Sequence, residues 1–312
     1  MNALKVLSAS GTQLKGTLPN KGWCELRKLQ ELMLIKNQLD GTLPPCLKNL
    51  TSLNLVDLSQ NRLIANIGLS SPLSALTSLK YLLIFGNSFE IPSSFRFFAN
   101  HTKLRGIHAN GNKAIITEIE LQREIPKELV IGCSSLMVLK LSNNKLEGEI
   151  VQEFGYLSSL EYFYLDGNNF TSTISDSLSN IPFCILDISN KFSGKIPRWM
   201  GHITSLEQLS LSQNHLEGPI PIEFCNLEHL SVLDLSKNTL IGSIPPCLNP
   251  SSIKHVHLSK NQLGDQFTPA FFNSTALVIF DISHNNFVGV CNSRVDRQSL
   301  RIEDSFPQWK SI

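Results

Sequence analysis

The sequence predicts a solenoid of the α/β class. Its coils would place a curved parallel β-sheet on the concave side and 3₁₀ or irregular segments on the convex side. Three observations carry this. Leu206, Leu209, Leu211, Asn214, Leu216, Gly218, Ile220 and Pro221 return 24 residues later as Leu230, Leu233, Leu235, Asn238, Leu240, Gly242, Ile244 and Pro245, and a fixed period of that length marks stacked supersecondary units. The L-x-L spacing is that of a short strand, turning Leu209 and Leu211 inward while Ser210 and Ser212 face out. An asparagine then recurs where each strand ends. A buried turn would strand amides and carbonyls, and an inward Asn, with two donors and an acceptor, can bond its own coil and the next.

Within one coil the elements follow in order. The strand buries its leucines, and the Asn braces the corner. Gly218 and Gly242 permit the bend that follows, and Pro221 and Pro245 end strand pairing and start the loose return. Asn37, Asn61, Asn87, Asn112, Asn144, Asn168, Asn214, Asn238, Asn261 and Asn285 form the expected ladder, with Thr12 at the first corner and Asn190 at the eighth. Twelve coils over residues 1–290 result, followed by an irregular tail over 291–312 with neither period nor apolar face.

Coils three to five lose the Gly-x-Ile-Pro half, and the stretch before Leu136 holds an insertion that would bulge from one face. Coil eight, Leu186 to Gly194, is one residue short between Ile188 and Phe192. The first coil begins at Leu4 without a polar cap, which reads as a truncated array.

The net charge of +1 gives no electrostatic footprint for nucleic acid or an acidic membrane. No apolar run approaches the roughly 18 residues of a membrane span, and the first ten residues lack the apolar core of a signal peptide. Seven cysteines include no C-x-x-C. Cys24 and Cys46, like Cys225 and Cys247, are 22 residues apart, two short of the period. Two readings stand for these pairs: disulfides between adjacent convex segments in an oxidising compartment, or buried small apolar side chains.

The pattern LxxLxLSxNxLxGxIPxxLxxL, with GWCELRKLQEL from Gly22, GTLPPCLKNLTSLNLVDLSQNRL from Gly41 and HVHLSKNQL from His255, resembles the plant-specific class of leucine-rich repeats and, within it, the ectodomains of plant receptor-like proteins. The resemblance covers roughly residues 4–290. It implies a kinase-free cell-surface receptor on the extracellular side of the plasma membrane. Such a receptor would recognise a peptide or protein ligand and signal through partner receptor kinases in defence or development. The family's signal peptide, end caps, island loop and membrane helix are not in this pattern. A secreted inhibitor of cell-wall-degrading enzymes, which uses a similar repeat, and a non-functional gene fragment are the competing readings.

Function in such a fold would sit on the concave sheet. Coils matching the consensus present Asp57, Asp187, Asp234 and Asp281, expected to be merely solvated. Coils four to seven instead present Tyr81, Phe85, His108, Lys140, Tyr162 and Tyr164, a composition typical of binding surfaces. His255 and His257 share an outward face with no third ligand evident, and His284 lies one column over, so no metal is expected. Asn49, Asn100, Asn169 and Asn273 head N-x-S/T sequons, relevant if the chain is secreted, and Asn169 should point outward. No G-x-S-x-G, P-loop, kinase loop or H-E-x-x-H occurs, and carboxylates do not converge, so neither catalysis nor a cofactor is expected.

Overall fold

The computed structural model describes residues 3–64, 67, 71–90, 98, 100–112, 133–150, 152–248, 252–264 and 274–288. The insertion before Leu136, the tail over 291–312 and Asn273 lie outside them. Twelve three-residue strands form one parallel sheet in chain order: Val6–Ser8, Glu31–Met33, Leu55–Asp57, Tyr81–Leu83, Gly106–His108, Val138–Lys140, Tyr162–Tyr164, Ile185–Asp187, Gln208–Ser210, Val232–Asp234, His255–His257 and Ile279–Asp281. Each pairs with the next in constant register, so Leu186, Leu209, Leu233 and Val256 fall in one inward row. From the second strand to the eleventh this middle residue is almost fully shielded, because successive coils close over it. Parallel strands covered on the inner side need such continuous apolar rows.

The asparagine ladder is a hydrogen-bond relay. The Asn214 amide donates to Leu211 O of its own coil at 2.9 Å and to Ile188 O of the preceding coil at 3.1 Å. Its Oδ1 accepts from Phe192 N at 2.8 Å and Asn190 N at 3.1 Å. Asn238 repeats the arrangement on Leu235, Leu211 and Leu216. Asn285, the last rung, is only part-buried but keeps its bonds to Leu258, Ile282 and Leu263. Thr12 at the first corner is exposed, with its hydroxyl on Ala9 O.

The residue before each rung adopts the left-handed backbone, including Lys36, Gln60, Gln213, Lys237 and Lys260 at φ between 53° and 60°. That conformation costs a non-glycine residue about 1–2 kcal/mol, so the buried relay holds it in place. The missing residue of coil eight is this one: Ser189 aligns with Ser212, their hydroxyls 3.1 Å apart, and Asn190 follows directly. Asn190 remains a buried rung, donating to Leu165 O across the coil boundary at 3.0 Å, but it lacks the own-coil bonds that Asn214 makes.

Past the rung the chain does more than bend. Ser193–Lys195, His215–Gly218, Thr239–Gly242 and Gln262–Leu263 pair in parallel as a second, lateral sheet, and Lys15–Thr17, Gln38–Gly41 and Arg62–Leu63 form its counterpart near the start. Gly218 and Gly242 close two of these strands at φ +76° and +78°. Pro197 and Pro221 then cap 3₁₀ helices over Arg198–His202 and Ile222–Asn226. Coil three, which has lost Gly-x-Ile-Pro, still pairs laterally through Arg62–Leu63, and among the described residues no further lateral strand follows before Glu147.

The convex side stacks through one repeated position. Immediately after the inward convex residue stand Cys24, Gly155, Gly201 and Cys225. The cysteines bond Cys46 and Cys247 of the next coil with Cα–Cα distances of 5.6 and 5.4 Å. The glycines instead let the next coil's backbone approach: a Cβ on Gly155 would lie 2.8 Å from Ser177 O, and on Gly201 2.3 Å from Glu223 O. Disulfide and glycine are thus two solutions to the same contact. Cys133 and Cys184 are unpaired thiols. Stacked Phe154, Phe163 and Phe183, with neighbouring centroids 5.5 and 5.9 Å apart, thicken the core in the middle of the array. Among the described residues no helix is long and apolar enough to cross a membrane.

Candidate binding face on the concave sheet

Constant register turns the outward strand positions into columns. The first outward column runs Tyr81, Gly106, Val138, Tyr162, Ile185. The second runs Leu83, His108, Lys140, Tyr164, Asp187. Five of the six residues singled out on coils four to seven therefore share two adjacent columns, and Phe85 sits two residues beyond its strand at the edge of the second. The columns are knitted together. Phe85 stacks on His108 with centroids 4.3 Å apart and planes inclined by 20°. Lys140 Nζ lies 4.8 Å from the Tyr164 ring centroid, a cation–π contact. Tyr81 is 40% exposed and leans over Gly106, where a Cβ would meet its ring at 3.0 Å. The other five are half-buried.

This packing shifts charge. Burial, with the Lys140 ammonium beside it, lowers the His108 pKa to about 4, and burial also lowers Lys140. Tyr164 is raised by burial and then by Asp187, Tyr162 and Asp166. Asp187 is raised to about 7 by burial and the Asp166 carboxylate, against the opposing bonds from Ser189.

The consensus aspartates are not merely solvated, as the sequence had led us to expect. Asp57, Asp187, Asp234 and Asp281 each accept a hydrogen bond from the amide of the serine two residues on, at 2.9–3.2 Å. Asp-x-Ser is a local turn brace, legible as a repeated spacing. Ser189 extends it sideways, reaching Asp187 at 2.7 Å and the hydroxyls of Ser210 and Ser212.

His255 and His257 face outward from one strand, with His257 between Asp234 and Asp281 in the second column. His284 is exposed at the left-handed position before Asn285. Among the described residues no three His, Cys, Asp or Glu side chains gather as a metal would require. Asn49 and Asn100 are exposed, and Asn169 is half-buried with its backbone N–H on Leu146 O in the lateral sheet. A shallow recess at the strand-entry rim, lined by residues including Arg105, Met137, Ser159 and Glu161, borders the aromatic columns.

These features define a class, and comparison with known proteins agrees. Models described as leucine rich repeats match residues 28–50, 122–170, 205–227 and 229–250. The chain is a plant-type leucine-rich repeat array. Within that class it resembles the ectodomains of receptor-like proteins: it is 36% identical over 78% of its length to Cuscuta receptor 1 of Solanum lycopersicum, and 33% identical over 72% to Receptor-like protein 1 of Arabidopsis thaliana. It spans about a fifth of those relatives, 19% and 18%. Among solved structures, the plant peptide hormone receptor RGFR1 in complex with RGF2 superposes with a TM-score of 0.82 at 28% identity, covering 92% of this chain and 45% of that one. The Arabidopsis receptor kinase HAESA, in complex with the peptide hormone IDA and the co-receptor SERK1, gives 0.75 at 31%, covering 92% and 46%.

Proposed function

We propose that this array is the recognition surface of a plant cell-surface receptor-like protein and that a peptide or protein ligand lies along its concave face, centred on coils four to seven. The carrying observation is the in-register replacement of small and acidic consensus residues by Tyr81, His108, Lys140, Tyr162 and Tyr164, with Phe85 stacked at the edge. Rings held by neighbours, as Phe85 is on His108 and Tyr164 is under Lys140, offer contact area at low entropic cost. The architecture supports the reading, because the two superposed receptors are peptide-hormone complexes. On this reading the whole protein works at the outer face of the plasma membrane with receptor-kinase partners, and the exposed sequons Asn49 and Asn100 carry glycans.

The test is selection from a displayed random nonapeptide library on the secreted chain, followed by hydrogen-exchange footprinting of the selected peptides. Protection is expected on Tyr81–Leu83 through Tyr162–Tyr164. Footprints confined to the convex side, or no enrichment at all, would overturn the proposal.

A further inference from the structure

Between the fourth and tenth coils the charged residues of the concave face are not mixed, whereas Glu31 and Asp57 precede this stretch and Lys254 and Asp281 follow it. Along the fourth to sixth coils the charges at or beside the outward columns are Lys80, Arg105 and Lys140. Along the seventh to tenth they are Glu161, Asp166, Asp187, Glu207 and Asp234. The sign changes between Lys140 and Asp187, which flank Tyr164 in one column. Among the described residues neither Lys140 nor Asp187 has an ion-pair partner; the lysine rests on an aromatic ring and the aspartate on a serine. Within these seven coils the surface thus divides into a basic and an acidic stretch.

We infer that the ligand is an extended peptide of segregated charge, acidic where it crosses the fourth to sixth coils and basic where it crosses the seventh to tenth. This rests on the reading of the concave sheet as the ligand face and adds the chemistry of what lies there. Complementary potentials set orientation and exclude wrong partners more than they add affinity, so the two poles fix which way the peptide runs. Strands of a sheet lie about 4.8 Å apart, which puts the fourth and tenth coils about 29 Å from each other; an extended chain rising about 3.3 Å per residue covers that with about nine residues. Lys140 and Asp187, two strands apart, would engage side chains about three residues apart. Tyr162 and Tyr164 stand at the crossover, where the peptide would be apolar or aromatic. The pKa of Asp187 is raised first by burial and then by the Asp166 carboxylate, with Asp234 adding to it, so like charges adjoin in this stretch.

The nonapeptide library serves again, with charge pattern as the readout. Enriched peptides should carry acidic residues in one half and basic residues in the other, with one polarity dominating. A block-charged peptide from that pool should bind at least tenfold tighter than its own shuffled version with alternating charges. Lys140→Glu and Asp187→Asn should each weaken it roughly tenfold; the second substitution keeps an acceptor for Ser189. Circular-dichroism melts establish that both variants fold. Concave-binding peptides without charge segregation, equal affinity for the shuffled peptide, or indifference to Lys140→Glu would overturn this inference and leave the recognition face standing. Loss of all concave protection would overturn both.

Discussion

Replacing Asn214 by alanine tests whether the ladder holds the coils together or merely decorates their corners. The side chain is 4% exposed and serves five backbone groups. Without it, the N–H groups of Phe192 and Asn190 and the carbonyls of Ile188 and Ser212 lose the partner that satisfies them. Leu211 O is spared, because Asn238 also donates to it at 2.9 Å. A buried unpaired polar group costs about 1–3 kcal/mol. Four such groups, partly relieved by a water entering the vacated space, give about 4 kcal/mol, a large share of the roughly 5–15 kcal/mol that holds a domain together. A repeat array couples only neighbours, so the damage should localise. Urea unfolding followed by circular dichroism should become biphasic, and hydrogen exchange at Phe192 and Asn190 should accelerate first. Asn285→Ala is the internal control. That rung is part-buried and Leu258 O retains a bond from Asn261, so its loss should cost only about 1 kcal/mol. A cost below about 1 kcal/mol for Asn214→Ala, or equal costs for the two, would refute the argument that buried backbone satisfaction sets coil stability.

Three further outcomes follow from the convex contacts and the concave charges. Cys225→Ser with Cys247→Ser should lower stability by roughly 3 kcal/mol in the chain-entropy model for a loop of this length, seen as a drop in melting temperature relative to the parent that disappears when both are melted in reductant, which opens Cys24–Cys46 in each. Gly201→Ala should cost about 1–3 kcal/mol by overpacking, because its Cβ would meet Glu223 O at 2.3 Å. Gly111→Ala, with nothing within 4 Å but φ at +64°, should cost about 1 kcal/mol; denaturant midpoints separate them. The pH dependence should split by residue. Asp187 has a folded pKa raised to about 7, so the stability linked to its protonation is complete below its unfolded value and lost as pH rises toward 7. Asp187→Asn should therefore gain melting temperature at pH 8 relative to pH 4. His108, lowered to about 4, works in the opposite sense, losing stability as pH falls from about 6.5 to 4, so His108→Gln should be relatively stabilised at pH 4.

Strand, rung and period were legible because each answers a local demand in residue type: leucine for an inward position, asparagine for a corner with unpaired backbone. The left-handed residue before each rung was not, since Lys36, Gln60, Gln213 and Lys237 share a backbone state rather than a side-chain chemistry. Only the shortened eighth coil exposes it, and there the spacing anomaly between Ile188 and Phe192 shows that the array tolerates its loss while Asn190 still bonds Leu165. The lateral sheet escaped for a related reason. Gly-x-Ile-Pro reads as a breaker pattern, yet Gly218 and Gly242 end paired strands, because the neighbouring coil supplies hydrogen-bond partners that no single coil contains.

The convex equivalence of Cys24 and Cys225 with Gly155 and Gly201 was present in the spacing, but cysteine and glycine carry no common signal; what they share is the approach they permit. On the concave side the aromatic residues stood out by composition. The Phe85–His108 stack, the Lys140–Tyr164 contact and the change of sign between Lys140 and Asp187 emerged only once constant register placed residues 23 to 32 apart in sequence side by side. In a solenoid the interior is fixed one coil at a time, whereas the binding surface is a property of the stack. A single substitution in a column therefore changes what a ligand meets without disturbing the leucines beneath it. That separation lets the Lys140 and Asp187 variants report on recognition while the Asn214 variant reports on the scaffold.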